Sequence, residues 1–82
     1  MASSAMTPIS TYAEPTVMWR LRHKDGRVAN GIIVPQGAKA YAAWFILGHL
    51  EQGQHLNSWH DAITWIESVR LTLKSEGWKP RR

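Results

Sequence analysis

The chain has 82 residues, a formal net charge of +4 and an isoelectric point near 10.0, and it contains no cysteine. This length suits one small domain. The absence of cysteine excludes a disulfide framework and a thiolate zinc site, and it fits the cytoplasm, where we expect the protein to act. The longest apolar run, residues 40–47, is far below the roughly 20 residues that a membrane span needs. The basic excess favours nucleic acid or an acidic protein surface as the partner.

The first segment, residues 1–16, is rich in Ser, Thr, Ala and Pro and carries a single charge at Glu14. It shows neither helical nor strand periodicity, so a flexible leader is predicted. It has no basic stretch followed by an apolar one, which excludes a secretory signal. We expect one folded domain over residues 17–78 and a short basic tail over residues 79–82.

A β-hairpin is predicted from two strands, Val17–Lys24 and Arg27–Val34, that flank the pair Asp25–Gly26. Asp-Gly is typical of the two-residue type I′ turn, which needs a positive φ at both central positions. In that register Trp19 lies opposite Ile32. One face of the hairpin is then apolar, with Val17, Trp19, Leu21 and His23 beside Val28, Ile32 and Val34.

The other face of the predicted hairpin is basic and contains no acid. Its only other neighbours are Ala29 and Gly31, which are small enough to let a ligand approach. Like charges on one face destabilise a sheet, so this arrangement indicates an anionic partner. The candidate binding residues of the hairpin are Arg20, Arg22, Lys24 and Arg27, and the tail adds Lys79, Arg81 and Arg82.

Two segments of the central chain allow alternatives. Asn30–Gly31 inside the second strand predicts a β-bulge, and a hairpin that turns at this pair is the alternative. Residues Ala38–Leu50 fit either a helix, from the spacing of Tyr41, Trp44, Leu47 and Leu50, or a third strand, from the continuous apolar run. Glu51–Gln54 is predicted as a turn.

The clearest element is a C-terminal helix over about Trp59–Glu76. Ser58 and Asp61 form a capping pattern at its start, and Gly77 is the expected stop. An apolar stripe at helical spacing contains Trp59, Ala62, Ile66, Val69 and Leu73. Core packing is also the interpretation for Trp19, Trp44 and Trp65. Trp78 is the least constrained of the five tryptophans, and it either folds back onto the core or stays exposed.

Motifs of enzymes, metal sites and cofactor sites are missing. There is no G-x-S-x-G sequence, no cysteine nucleophile and no close pair of carboxylates, and the glycines before Lys39 lack phosphate-loop spacing. His49, His55 and His60 do not have the spacing of metal ligands on one element. We therefore predict a non-enzymatic protein without metal or cofactor.

The segment His55–Ile66 resembles the strand-to-helix junction of AP2-like domains, the small arm-type DNA-binding domains of phage tyrosine integrases. The resemblance rests on an apolar residue, a Ser cap, an acid-Ala pair and a Trp-aliphatic pair, here Leu56, Ser58, Asp61, Ala62, Trp65 and Ile66. It implies three antiparallel strands packed on one C-terminal helix, with the sheet entering the DNA major groove. It also favours the third strand over the extra helix and implies a phage or mobile-element origin.

The sequence thus predicts an α+β fold, with a two- or three-stranded antiparallel sheet packed on the C-terminal helix. The predicted function is a small nucleic-acid-binding accessory protein that contacts DNA or RNA through the basic hairpin face. The alternative is an inhibitor or adaptor that docks on an acidic protein surface, with Trp78 or Leu71 as apolar anchors. Homodimerisation through a free strand edge is left open.

Overall fold

The computed structural model describes residues 14–80. It is an α+β fold in which five antiparallel strands form one sheet and a single helix lies near the C-terminus. The elements in chain order are β1 (Thr16–Arg22), β2 (Val28–Gln36), β3 (Lys39–Ile46), β4 (His49–Leu56), α1 (Trp59–Ser75) and β5 (Lys79–Pro80). The predicted leader falls mostly on residues 1–13, outside the described residues.

The sheet has the strand order β4-β3-β2-β1-β5. Helix α1 packs on one face, which we call the helix face. The opposite face, called the open face, is covered by no element among residues 14–80. The helix face contributes the core, in which Leu21, Ile33 and Ile66 are the largest fully buried side chains.

The α+β class and the C-terminal helix are confirmed, but the sheet is larger than predicted. The ambiguous segment Ala38–Leu50 contains strand β3, a turn at Leu47–Gly48 and the start of β4. Its apolar run forms a strand because β3 is central: Ala40 and Ala42 are buried under α1, while Ala43 is buried on the open face. The predicted turn at Glu51–Gln54 is wrong, since these residues lie within β4. The polar sequence predicted a turn here, but polar side chains are equally at home in an edge strand, where they face solvent.

The hairpin between β1 and β2 has a longer loop than predicted. The amide of Gly26 donates to the carbonyl of His23 at 2.9 Å, and the amide of His23 donates to the carbonyl of Arg27 at 2.9 Å. The loop is therefore Lys24–Gly26, with Gly26 in the left-handed region at φ 97. This is the three-residue connection in which a glycine closes the turn, not the two-residue type I′ turn.

One extra loop residue reverses the faces of β2 relative to β1, because side chains alternate along a strand. Trp19 pairs with Gly31 and Leu21 with Ala29, so the small residues lie on the helix face. The predicted pairing of Trp19 with Ile32 is wrong, and so is the placement of Ala29 and Gly31 beside the arginines. The open face instead carries Val28, Asn30, Ile32 and Val34.

The β-bulge lies in β1 and not at Asn30–Gly31. The register shifts between Val17 and Trp19, which leaves Met18 as the extra residue, while Asn30–Gly31 runs straight through β2. The alternative hairpin turning at Asn30–Gly31 is therefore also wrong. Gly31 has a packing function: a Cβ at this position would overlap the indole ring of Trp19.

Helix α1 begins and ends close to the predicted residues. The Ser58 hydroxyl accepts a hydrogen bond from the Asp61 amide at 3.0 Å, as the capping pattern predicts. Gly77 has φ 97, and the amides of Gly77 and Trp78 donate to the carbonyls of Lys74 and Leu73. These two hydrogen bonds form the Schellman motif, which satisfies the last carbonyls of a helix and reverses the direction of the chain.

The reversal at Gly77 changes the expectation for the last residues. Trp78, predicted to be the least constrained tryptophan, is 4% exposed and packs into the core, whereas Trp59, predicted to be a core residue, is 40% exposed. Residues Lys79–Pro80 form strand β5 beside β1 and are not a free tail. A tryptophan that follows the helix stop is large enough to hold the chain against the sheet.

We predict that Gly31→Ala lowers the free energy of unfolding by about 2–3 kcal/mol, because the added methyl group displaces the Trp19 ring from a packed core. The same substitution in a Trp19→Leu background should cost less than about 1 kcal/mol, because the overlapping ring is gone. Urea unfolding of the four proteins, with an osmolyte added to keep the weakest folded, measures both values. Equal costs in the two backgrounds would contradict the proposed contact.

Candidate nucleic-acid interface

Strand β1 presents two arginines on the open face. Trp19 and Leu21 are buried on the helix face, so Arg20 and Arg22, which alternate with them, project from the opposite side and are exposed. Arg22 lies opposite Val28 and Arg20 lies opposite Asn30 on β2. The two guanidinium groups are thus held by a strand whose other side is fixed in the core.

Strand β5 adds a third cation directly beside this pair. Lys79 is the cross-strand partner of Arg22, and Pro80 is the partner of Leu21. Two like charges directly opposite each other destabilise a sheet by a few tenths of a kcal/mol or more. Pro80 lies in an edge strand, a location where proline is accepted because it can lack an N–H toward solvent. The fold therefore keeps Arg22 and Lys79 adjacent in spite of their repulsion.

None of these cations forms an ion pair with a carboxylate within the described part of the chain. The ion pairs found there use only Asp25 and Glu67 as acids, paired with His23, Arg27 and Arg70. Lys24, at the hairpin tip, joins Arg22 and Lys79 around an open cleft of about 510 Å³ that also contacts Glu76, Gly77 and Pro80. We call the set Arg20, Arg22, Lys24 and Lys79 the basic edge.

The remaining predicted binding residues lie elsewhere. The guanidinium of Arg27 is 5.2 Å from the ring centre of Trp78, and its Nε donates to Oδ2 of Asp25 at 2.8 Å. Arg27 thus covers the buried Trp78 and is not adjacent to Arg20 on the open face. Arg81 and Arg82 lie outside the described residues. The structure brings together four of the seven predicted residues.

An apolar and aromatic strip on the open face was missed by the sequence analysis. Asn30 of β2 pairs with Arg20 of β1 on one side and with Phe45 of β3 on the other, so these three residues form one row across the sheet. In a second row, Tyr41 of β3 lies between Val34 of β2 and His55 of β4. The rings of Tyr41 and His55 are 4.7 Å apart, and both Phe45 and Tyr41 are partly exposed. The predicted hairpin register put Ile32 and Val34 on the buried side, which is why the strip was not recognised.

The histidines do not assemble into a metal site in the described residues. His55 packs against Tyr41, while His60 lies in the first turn of α1, where its carbonyl accepts from the Thr64 hydroxyl. Among residues 14–80, no three His, Asp or Glu side chains converge as metal ligands would. Within the same range, no helix is both long enough and apolar enough to cross a membrane.

Comparisons with protein-family models, with curated proteins and with solved structures give no significant match. The interpretation of the basic edge therefore rests on its geometry and charge.

Asp25 organises the hairpin tip that carries Lys24. Its Oδ1 accepts the backbone N–H of Arg27 at 3.0 Å, and its Oδ2 accepts from the Arg27 guanidinium at 2.8 Å. The backbone N–H first, and then the guanidinium, hold the pKa of Asp25 below its ordinary value of 3.8, although desolvation opposes them. The ionised carboxylate therefore stabilises the loop in its observed conformation.

We predict that an NMR titration places the pKa of Asp25 below 3.8. Arg27→Gln should raise it without restoring the full value, because the backbone N–H still donates. A depressed pKa in the folded state means that this carboxylate stabilises the fold above about pH 4, and that the contribution is lost as the pH falls through the folded-state pKa. A titration midpoint in the wild-type protein at or above the ordinary value would contradict this description of the loop.

Proposed function

We propose that the protein is a non-enzymatic nucleic-acid-binding accessory protein that contacts phosphates through the basic edge. The observation that carries the proposal is the direct pairing of Arg22 with Lys79, beside Arg20 and without a carboxylate partner in residues 14–80. A cluster of one sign that is destabilising in the free protein is relieved when an anion binds. The phosphate backbone supplies such anions at regular intervals.

The width of the sheet favours contact by its edge over insertion of the whole open face. Five strands span about 19 Å at the usual strand spacing, whereas the major groove is about 12 Å wide and admits two strands. The groove insertion implied by the AP2-like resemblance would therefore involve only two strands, β1 and β2, with the loop between them. Single-stranded nucleic acid meets no such limit, and it can lie across the open face.

The aromatic strip beside the basic edge supports the same proposal for single strands. Phe45 follows Asn30 in the row that begins with Arg20, so an aromatic ring lies two strands away from a guanidinium on one surface. Proteins that bind single strands without sequence preference combine cations for the backbone with aromatic rings for the bases. Phosphate contacts position such a protein but do not read the sequence.

The competing proposal, docking on an acidic protein, loses one of its two predicted anchors. Trp78 is buried under Arg27 and cannot enter a partner's pocket without unfolding the end of the chain. Leu71 is 53% exposed, but it lies on α1 and not on the surface of the basic edge. An anchor and a charged surface that lie on different elements do not form one compact interface.

The test is a salt series of binding titrations with labelled duplex and single-stranded DNA, read by fluorescence anisotropy. If the four cations of the basic edge each neutralise one phosphate, log K should fall with log salt with a slope of roughly −3.6 for duplex and −2.8 for single strands. The variant Arg20→Gln/Arg22→Gln should lower the affinity by tenfold or more and halve the slope, because two of the four contacts are removed.

The matched control is Arg70→Gln/Lys74→Gln, which removes two cations from α1 and has the same net charge. It should keep the slope of the wild-type protein, because both residues lie on the helix layer. Equal losses in the two variants would show that net charge and not the basic edge determines binding. No binding by the wild-type protein at low salt would overturn the proposal and favour a protein partner.

A further inference from the structure

The two edges of the described sheet differ in how well they are protected. At one edge, β5 has two residues, and the second is Pro80, which has no N–H to donate. At the other edge, β4 has eight residues without lysine or proline, and seven of them are exposed. Short strands, lysine, proline and β-bulges are the features that keep sheet edges from pairing. Strand β4 is long and has neither lysine nor proline, and its one bulge, at Glu51, leaves residues 52–56 as an uninterrupted run.

The charge distribution shows which kind of chain can approach β4. The sequence has no Lys or Arg between Lys39 and Arg70, and this interval contains the acids Glu51, Asp61 and Glu67. A polyanion is therefore not attracted to this side of the molecule. A second copy can approach it with its own cation-free side, so that the basic edges of the two molecules stay far apart.

We infer that β4 pairs antiparallel with β4 of a second copy, centred on Gly53, to form a symmetric dimer. In this register Gly53 lies opposite itself, Gln52 lies opposite Gln54, and Glu51 lies opposite His55. Gln52 and Gln54 share the helix face, as their partners Trp44 and Ala42 show, so the two amide side chains can hydrogen-bond across the interface. A two-fold axis perpendicular to the sheet makes every pair other than Gly53–Gly53 occur twice.

The neighbouring register is less favourable. If the axis passed through Gln52, His49 would lie opposite His55, and Glu51 would lie opposite Gly53, which has no side chain. Of these two registers, the Gly53-centred one places the Glu51 carboxylate opposite a group that can donate to it, the imidazole of His55. Glu51 is also the extra residue of the β4 bulge, which lies between the partners of Trp44 and Phe45. The bulge ends regular pairing there, so a short contact and a dissociation constant in the micromolar range are expected.

Dimerisation in this way changes both edges of the assembly. Counting residues 14–80 of each copy, the shared sheet has ten strands, and its free edges are the two short β5 strands that end in Pro80. The partly apolar surface near the β4 edge, where Leu50 is 55% exposed, becomes partly covered. The two basic edges lie at opposite ends of the sheet, so the dimer offers two anion-binding surfaces. The dimer itself does not depend on nucleic-acid binding.

The experiment is sedimentation velocity on the full 82-residue chain, from low to high micromolar concentration. We expect the weight-average mass to rise from that of a monomer to that of a dimer. Glu51→Lys should raise the dissociation constant about tenfold, because symmetry removes both Glu51–His55 pairs at once. The charge-reversed double variant Glu51→Lys/His55→Glu should return it to within about threefold of the wild-type value.

Two further variants keep the test independent of folding. Gln52→Lys/Gln54→Lys changes only exposed side chains and places lysines opposite lysines, so the dimer should be lost while the circular dichroism spectrum is retained. Glu76→Lys makes the same charge change as Glu51→Lys at the far end of α1, and it should leave the dimer unchanged. A monomer at every concentration, or a dimer that survives the paired lysines, would overturn the inference.

Discussion

The structure depends on one contact between an aromatic ring and a glycine. The indole of Trp19 lies over Gly31, and its Nε1 donates to the carbonyl of Ile66 at 2.9 Å. Three elements, β1, β2 and α1, are thereby joined by a single side chain. The ring fits only because the neighbouring strand has a glycine, without a Cβ, at this position. Its hydrogen bond to Ile66 also fixes the distance between α1 and the sheet. Because Trp19 must lie on the helix face, Arg20 and Arg22 must lie on the open face.

Charge is distributed unevenly along the sheet as a result of its strand order. The chain passes from β1 to β4 by successive hairpins and then returns through α1, so that β5 closes on β1 at the opposite edge. This return brings Lys79 next to Arg22, although 56 residues separate them in the chain. The residues between Lys39 and Arg70 supply no cation to the β4 edge. One edge therefore carries a cluster of cations, whereas the other has none in its strand.

Local patterns were sufficient for the helix and insufficient for the sheet. The helix is marked by a start signal at Ser58 and Asp61 and by a stop signal at Gly77. Each signal acts within a few residues, so the C-terminal end of α1 was predicted to within one residue. Asp25–Gly26 also marked a turn correctly, but its loop length depends on which faces of β1 and β2 must be buried. The turn at Leu47–Gly48 has φ values of 52 and 81, and leucine gives no signal for such a conformation. Consequently β3 and β4 were not separated.

The sequence by itself determined the α+β class, the helix and its caps, the presence of a hairpin and the excess of cations in it. These depend on alternation, helical spacing and capping, which are short-range properties of the chain. The tertiary structure decided the register of β2, the pairing of Lys79 with Arg22, the burial of Trp78 and the exposure of β4. These depend on which surfaces meet when α1 packs on the sheet, and a one-residue change in a loop is enough to exchange the two faces of a strand.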